Sequence, residues 1–251
     1  MNVLGVIPAR YRSTRLEGKP LADILGKPMI QYVYEAAMKA GALSGVVVAT
    51  DDERIERAVR GFGGCVVMTR ADHPSGMDRV AEVMASRDVE VVVNIQGDEP
   101  LIDPRMIDEC VEALRQSAGA GLATLMKRVG EDAWHDPGVV KVVRDLRGRA
   151  LYFSRSLIPF PRTRTSAFGV FEHIGLYAYT RECLLQLARL PPTPLELIEG
   201  LEQLRALEHG IPIQVAETGC QGESISVDTA DDLDRVRRIV ASSNRIKERR
   251  D

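Results

Sequence analysis

The densest reactive chemistry in the sequence lies in one segment. Pro8-Ala9-Arg10-Tyr11-Arg12-Ser13-Thr14-Arg15-Leu16-Glu17-Gly18-Lys19-Pro20-Leu21 directly follows the apolar run Val3–Ile7. It interleaves the cations Arg10, Arg12, Arg15 and Lys19 with hydroxyls and a glycine. Free backbone N–H groups in a loop, joined by Arg and Lys side chains, make charge-assisted hydrogen bonds to an anion with many oxygens. A polyphosphate is such an anion. The segment contains neither GxxxxGK[ST] nor GxGxxG, so it is neither a P-loop nor a dinucleotide fingerprint. A solvated basic loop is the plainer alternative, and the charge density just past a strand weighs against it.

Two carboxylates stand at comparable places. Asp98 lies in Gln96-Gly97-Asp98-Glu99-Pro100, just past the apolar run Val91–Ile95, and Asp228 follows Ile225–Val227. Hard cations take carboxylate oxygens, and Mg²⁺ commonly uses one or two of them together with phosphates. Each residue also has a structural alternative: Asp98 could cap the turn before the next helix, and Asp228 could cap a helix starting near Ala230. Asp51-Asp52 is a rival metal pair or another helix cap. Arg155 could grip a carboxylate in bidentate fashion. His173 precedes a glycine and an apolar run. Glu196, Glu199 and Glu202 fall at i, i+3, i+6 on an expected helix over Leu195–His209, where they form either an acceptor cluster for hydroxyls or a solvated face.

These residues need a scaffold, and the hydrophobic pattern supplies one. Short apolar runs at Val3–Ile7, Gly45–Thr50, Cys65–Met68 and Val91–Ile95 alternate with helical spacing around Met29–Met38, Glu53–Arg60, Arg79–Ala85 and Pro104–Arg115. That alternation predicts an α/β fold, a mostly parallel Rossmann-like sheet with helices on both faces. Ligands of such sheets bind beyond the carboxyl ends of the strands. Val139–Arg144 and Arg149–Phe153 flank Asp145-Leu146-Arg147-Gly148 as a hairpin. Gly175–Thr180 is a further strand, and Pro159–Phe168 a loop. We read about 125–180 as a smaller antiparallel lobe inserted in one domain spanning 1–251. Helices near Arg181–Arg189 and from about Ala230, with a strand at Ile211–Ala216, complete the chain.

Composition narrows the function. The chain has 251 residues and a formal net charge of −3. Near-neutral charge and a lone Trp134 argue against nucleic-acid binding. No apolar run reaches about 18 residues, so no membrane insertion is expected. Four scattered cysteines without a CxxC pair are expected to be buried, reduced bystanders.

Pro8–Leu21 resembles the PARYxSTRLPGKPL signature of the 3-deoxy-manno-octulosonate (Kdo) cytidylyltransferases, or CMP-Kdo synthetases. Further blocks share the resemblance: Met68-Thr69-Arg70-Ala71-Asp72-His73, Asn94–Pro100, Leu151-Tyr152-Phe153-Ser154-Arg155, His173-Ile174-Gly175-Leu176-Tyr177, Leu201-Glu202-Gln203-Leu204-Arg205 and Val227-Asp228-Thr229. The resemblance implies a cytoplasmic nucleotidyltransferase with a smaller dimerisation lobe. Such an enzyme moves CMP from CTP to Kdo with Mg²⁺, releases pyrophosphate, and acts as a homodimer serving lipopolysaccharide inner-core synthesis. It further implies roles by position. Arg10, Ser13, Arg15 and Lys19 would hold the triphosphate, and Pro8, Ala9, Ser75, Gly76, Arg79, Gln96 and Gly97 would line the nucleotide pocket. Asp98 and Asp228 would hold the metal. Gln96, Arg155, His173, Tyr177, Glu196, Glu202 and Gln203 would face the acidic eight-carbon keto sugar. Arg10, Lys19 and Asp98 would carry catalysis. Glu17 stands where the signature has proline.

Overall fold

The structure is a computed structural model that describes residues 2–12, 16–117, 119–163, 169–222 and 225–248. In chain order the elements are β1 (Val3–Ala9), β2 (Asp23–Ile24), β3 (Lys27–Pro28), α1 (Met29–Ala37), β4 (Gly45–Thr50), α2 (Glu53–Gly61), β5 (Val66–Met68), α3 (Gly76–Ala85), β6 (Val91–Asn94) and α4 (Pro104–Gln116). There follow β7 (Leu122–Val129), β8 (Lys141–Arg144), β9 (Ala150–Ser154), β10 (Val170–Thr180), α5 (Arg181–Leu187), α6 (Pro194–Glu199), α7 (Gln203–Glu208), β11 (Ile213–Glu217) and α8 (Ala230–Glu248). The chain divides into two compact units, Met1–Ile107 with Cys220–Asp251, and Asp108–Gly219.

In the first unit β1 lies between β6 and β4, and β5 pairs with β4, all parallel. The register sets Val6 opposite Val47 and opposite Asn94. The strands are runs of β-branched residues because a parallel sheet is covered on both faces. Val6, Ile7, Val48, Val92 and Val93 are fully buried. Helices α1, α2 and α3 pack against β4. The Asp52 side chain accepts from Arg54 N and caps α2, which is the capping alternative for that pair. The chain returns from the second unit to lay α8 on this one. Val227, Val236 and Val240 bury themselves with Ile24 and Met29 in a common cluster.

The second unit is built on β7, flanked by antiparallel β10 and parallel β11. The expected hairpin is present as antiparallel β8 and β9. Three sequence expectations need correction. The strand expected at Gly175–Thr180 starts at Val170, so His173 lies inside it. The single helix expected over Leu195–His209 is two. Gly200, at φ +63°, takes the left-handed turn that closes α6. Glu202 therefore stands at the head of α7, outside the helix that carries Glu196 and Glu199. Finally, Cys110, Cys183 and Cys220 are buried, but Cys65 is exposed at the foot of β5.

Candidate active site

The first loop is anchored at its far end. Gly18 N donates to Tyr11 O at 2.9 Å, and a short 3₁₀ turn follows over Lys19–Leu21. Gly18 sits at φ +68° with the Tyr11 ring against it; a Cβ there would lie 3.0 Å from the ring. Glycine is the residue that tolerates that backbone without strain. Pro20 buries its ring, so Lys19 leaves a fixed backbone with a movable side chain. At the near end Arg10 Nη2 donates to His73 O at 2.8 Å. Ser13 and Arg15 lie outside the described residues.

Beside this loop the ends of β1 and β6 run together. A Cβ on Gly97 would come within 2.9 Å of Pro8 O, so only glycine lets the two main chains pass this closely. Pro8, Arg10, Lys19, Gln96, Gly97 and Asp98 line a small cleft of about 150 Å³. Ala9, the last residue of β1, belongs to the same cleft and is itself buried.

Asp98 and Asp228 meet there although 130 residues separate them. Val227 N donates to Asp98 O at 2.9 Å, which ties the two segments main chain to main chain. Lys19 Nζ then donates to Asp98 Oδ2 at 2.6 Å and to Asp228 Oδ1 at 3.1 Å. The side chains of Asp98 and Asp228 keep 26% and 32% of their surface exposed, against 14% for Lys19, so the carboxylates stay reachable from solvent. In each case another residue caps the helix that follows. Thr229 Oγ1 accepts from Asp232 N, while Asp232 Oδ2 accepts from Thr229 N and Asp228 N, and this box opens α8. Asp103 takes the corresponding place before α4.

Two convergent carboxylates beside a cationic loop suit a hard divalent cation shared with a nucleotide. Among the described residues no group of three His, Cys, Asp or Glu is arranged to hold a metal alone. The donor set fits Mg²⁺ that completes its shell with phosphate and water.

Ser75 caps α3, accepting from Asp78 N, and Gly76 packs beside Pro8. Arg79 is fully buried. Its guanidinium faces Asp51 at 3.2 Å and donates to Thr69, and burial lowers its pKa. It braces the strand ends around the cleft rather than offering its charge to solvent.

In the second unit β10 carries a bulge. His173 and Ile174 pair with Met126 and Leu125, but the next pair is Tyr177 with Thr124. The two extra residues bring the His173 and Tyr177 rings to 5.3 Å, although the residues are four apart. Thr124 Oγ1 lies 2.8 Å from Leu176 O and 3.0 Å from both Ile174 O and His173 Nε2. A hydroxyl has one proton, so it donates to a carbonyl and accepts from His173 Nε2–H. Phe153 meets His173 edge-on at 4.9 Å. Burial pushes the His173 pKa down to about 3, so the ring is neutral at pH 7.

The other expected sugar contacts are differently placed. Glu196 is buried and binds Arg205, with Nε–Oε2 at 2.8 Å, while Thr193 N donates to it at 3.1 Å. Arg155 is exposed but partly committed: Nε donates to Glu199 O and Nη1 to Pro137 O, both at 2.8 Å. Gln203 is buried, and its Nε2 has no hydrogen-bond partner among the described residues. Sequence reasoning missed Lys141, which is fully buried. Its three ammonium protons go to Asp136 O, Val139 O and Arg155 O at 2.8, 2.6 and 2.6 Å. A lone lysine inside Val139-Val140-Lys141-Val142-Val143 was the available signal. Thr124 carried none.

Comparison with known proteins agrees with this architecture. The cytidylyltransferase family pattern matches residues 4–218. The chain is 53% identical over 249 residues to the 3-deoxy-manno-octulosonate cytidylyltransferase of Geobacter sulfurreducens, covering 94% of this chain and 98% of that protein. It is 53% identical over 243 residues to the protein of the same name from Solibacter usitatus, covering 96% and 95%. Its fold superposes with TM-score 0.91 and 44% identity on a CMP:2-keto-3-deoxy-manno-octonic acid synthetase complexed with CTP, covering 97% and 100% of the two chains. The family pattern over most of the chain, the relatives and the shared fold make this chain a nucleotidyl-transferring member of the cytidylyltransferase family.

Proposed function

We propose that this chain transfers CMP from CTP to the anomeric hydroxyl of 3-deoxy-manno-octulosonate, yielding CMP-Kdo and pyrophosphate. The observation that carries the reading is the convergence of Asp98 and Asp228 beside the cationic first loop. The names of the relatives supply the acceptor. The acceptor oxygen bonds to the α-phosphorus as the bond to the β-phosphate oxygen breaks, and the hydroxyl proton passes to solvent. Such transfer is chiefly positioning and charge stabilisation. Arg10, Lys19 and the loop residues Ser13 and Arg15 hold the triphosphate and balance charge on departing pyrophosphate. Pro8, Ala9, Ser75, Gly76, Gln96 and Gly97 shape the nucleotide end, with Arg79 bracing it. Mg²⁺ held by Asp98 and Asp228 would supply Lewis-acid polarisation of phosphate and acidify the acceptor hydroxyl.

On the acceptor side, neutral His173, Tyr177 and the unspent Gln203 amide offer hydrogen bonds to sugar hydroxyls. Arg155 and Glu202 are exposed enough to reach the carboxylate and the hydroxyls, and Glu196 acts through Arg205. The exposed side chains of Leu197 and Ile198 on α6 support a homodimer formed through the second unit, beyond the lobe expected at about 125–180. No described helix is long and apolar enough to cross a membrane, which suits a cytoplasmic enzyme feeding lipopolysaccharide inner-core synthesis.

Pyrophosphate release with CTP and Mg²⁺ tests the reading across Kdo, 8-amino-Kdo, N-acetylneuraminate and no acceptor. Release with Kdo is expected. Release with another acid alone would overturn the acceptor and keep the chemistry. Silence with all of them would overturn both. Asp98→Asn is expected to lower kcat by roughly 10²–10³ and to shift the Mg²⁺ dependence upward.

A further inference from the structure

Lys19 and the two carboxylates make an unusual arrangement for residues assigned to a metal. One ammonium donates to Asp98 and Asp228 together, at 2.6 and 3.1 Å. Those are the two carboxylates a divalent cation would draw on, with ligand distances of about 2.0–2.1 Å for Mg²⁺. An ammonium held on these two carboxylates and a dication placed on them repel each other at that range, so each weakens the other's hold. The main chain of Lys19 is pinned, with its N–H bonded to Leu16 O and its carbonyl to Ala22 N. Its four-carbon stem is not. The ammonium can swing only as far as that stem reaches, and the cleft it would sweep is lined by Arg10 and Arg12, a place for anions rather than for a third cation.

Resting on the metal and nucleotide reading above, we infer that Lys19 is an internal competitor for the metal ligands, so that this site takes a divalent cation together with nucleotide phosphates and not ahead of them. A cation arriving alone must displace Lys19 into a cationic loop. A cation arriving with a triphosphate brings the anion that receives the displaced ammonium. The coupling between metal and nucleotide is thus built into one side chain, and by linkage it is reciprocal.

Mn²⁺ binding, read from the loss of the free-ion EPR signal with the full-length chain, tests this without turnover. Wild type is expected to hold Mn²⁺ alone weakly, and K19M about tenfold more tightly, equivalent to ~1.4 kcal/mol. K19Q should follow K19M, and the gain should vanish in the K19M/D98N double variant. CTP, added without acceptor, should tighten Mn²⁺ binding more in wild type than in K19M. If K19M and K19Q bind Mn²⁺ no better than wild type while D98N weakens Mn²⁺ binding with CTP, the metal reading stands and the inference falls. If D98N leaves that binding unchanged, both fall. Loss of fold in both Lys19 variants, seen by circular dichroism, would make Lys19 a structural brace and overturn the inference.

Discussion

Arg10 Nη2 donates to the main-chain carbonyl of His73 at 2.8 Å, and the His73 ring in turn binds Glu82 on α3. The first loop and the segment entering α3 are therefore coupled through one guanidinium that still has donors to spare. A lysine at position 10 has all its donors on one nitrogen and lacks the planar fork that lets a guanidinium hold a carbonyl with one nitrogen and a phosphate with another. Arg10→Lys should lower kcat/KM for CTP by roughly 10²-fold with little change in melting temperature. Steady-state pyrophosphate release and thermal denaturation together check this. A large fall in melting temperature instead would mean that the His73 contact is mainly a brace.

The Glu196–Arg205 pair leaves only 8% and 6% of the two side chains exposed. Removing one member strands the other as a buried charge. Arg205→Leu should cost about 3–5 kcal/mol, whereas replacing both by methionine should cost much less. Urea denaturation of the two single variants and the double variant decides it, and a double-variant loss equal to the sum of the single losses would mean that the pair is not coupled.

His173 makes acid stability readable. Its folded pKa is down at about 3 against an ordinary 6.5, through burial. Above pH 6.5 both folded and unfolded forms are neutral here, and the native state carries no proton penalty. As pH falls from 6.5 towards 3 the unfolded chain takes up a proton that the native state refuses. This one group then removes about 1.4 kcal/mol of stability per pH unit. The stability advantage of wild type over His173→Asn should therefore shrink as pH drops from 7.5 to 5. Urea midpoints at three pH values measure it, and a constant difference would show that the ring takes up its proton in the fold as readily as in the unfolded chain.

Leu197 and Ile198 are 71% and 80% exposed on a six-residue helix. Apolar side chains of that size, adjacent and uncovered, suit an interface. Leu197→Asp with Ile198→Asp should convert a dimer to a monomer in sedimentation velocity while leaving the circular dichroism spectrum unchanged. An unaltered sedimentation coefficient would place any interface elsewhere.

Much of this was legible in the sequence, for identifiable reasons. The parallel strands are short β-branched runs with polar residues at their carboxyl ends, so β1, β4 and β6 and the loops after them could be read directly. β7 was missed because Leu122-Ala123-Thr124-Leu125-Met126 is buried throughout and has no alternation to betray a strand. The break at Gly200 was hidden because the flanking glutamates keep helical spacing across it. The two roles open to Asp228 could have been separated, since Thr229 and Asp232 have the spacing of a capping box. Partners such as Glu196 with Arg205, or Lys141 with three carbonyls, arise from chain paths that no local pattern encodes.

Gly97 illustrates a different kind of dependence. It has no side chain with which to touch a substrate, yet a methyl group added there would crowd the Pro8 carbonyl at 2.9 Å and push Asp98 off its mark. A mutational scan scored on activity would rank this position with the reacting residues. The intolerance would report volume and not reactivity: the reach between the cationic loop and the carboxylate is a main-chain dimension, and widening it by one carbon atom detunes both ends at once.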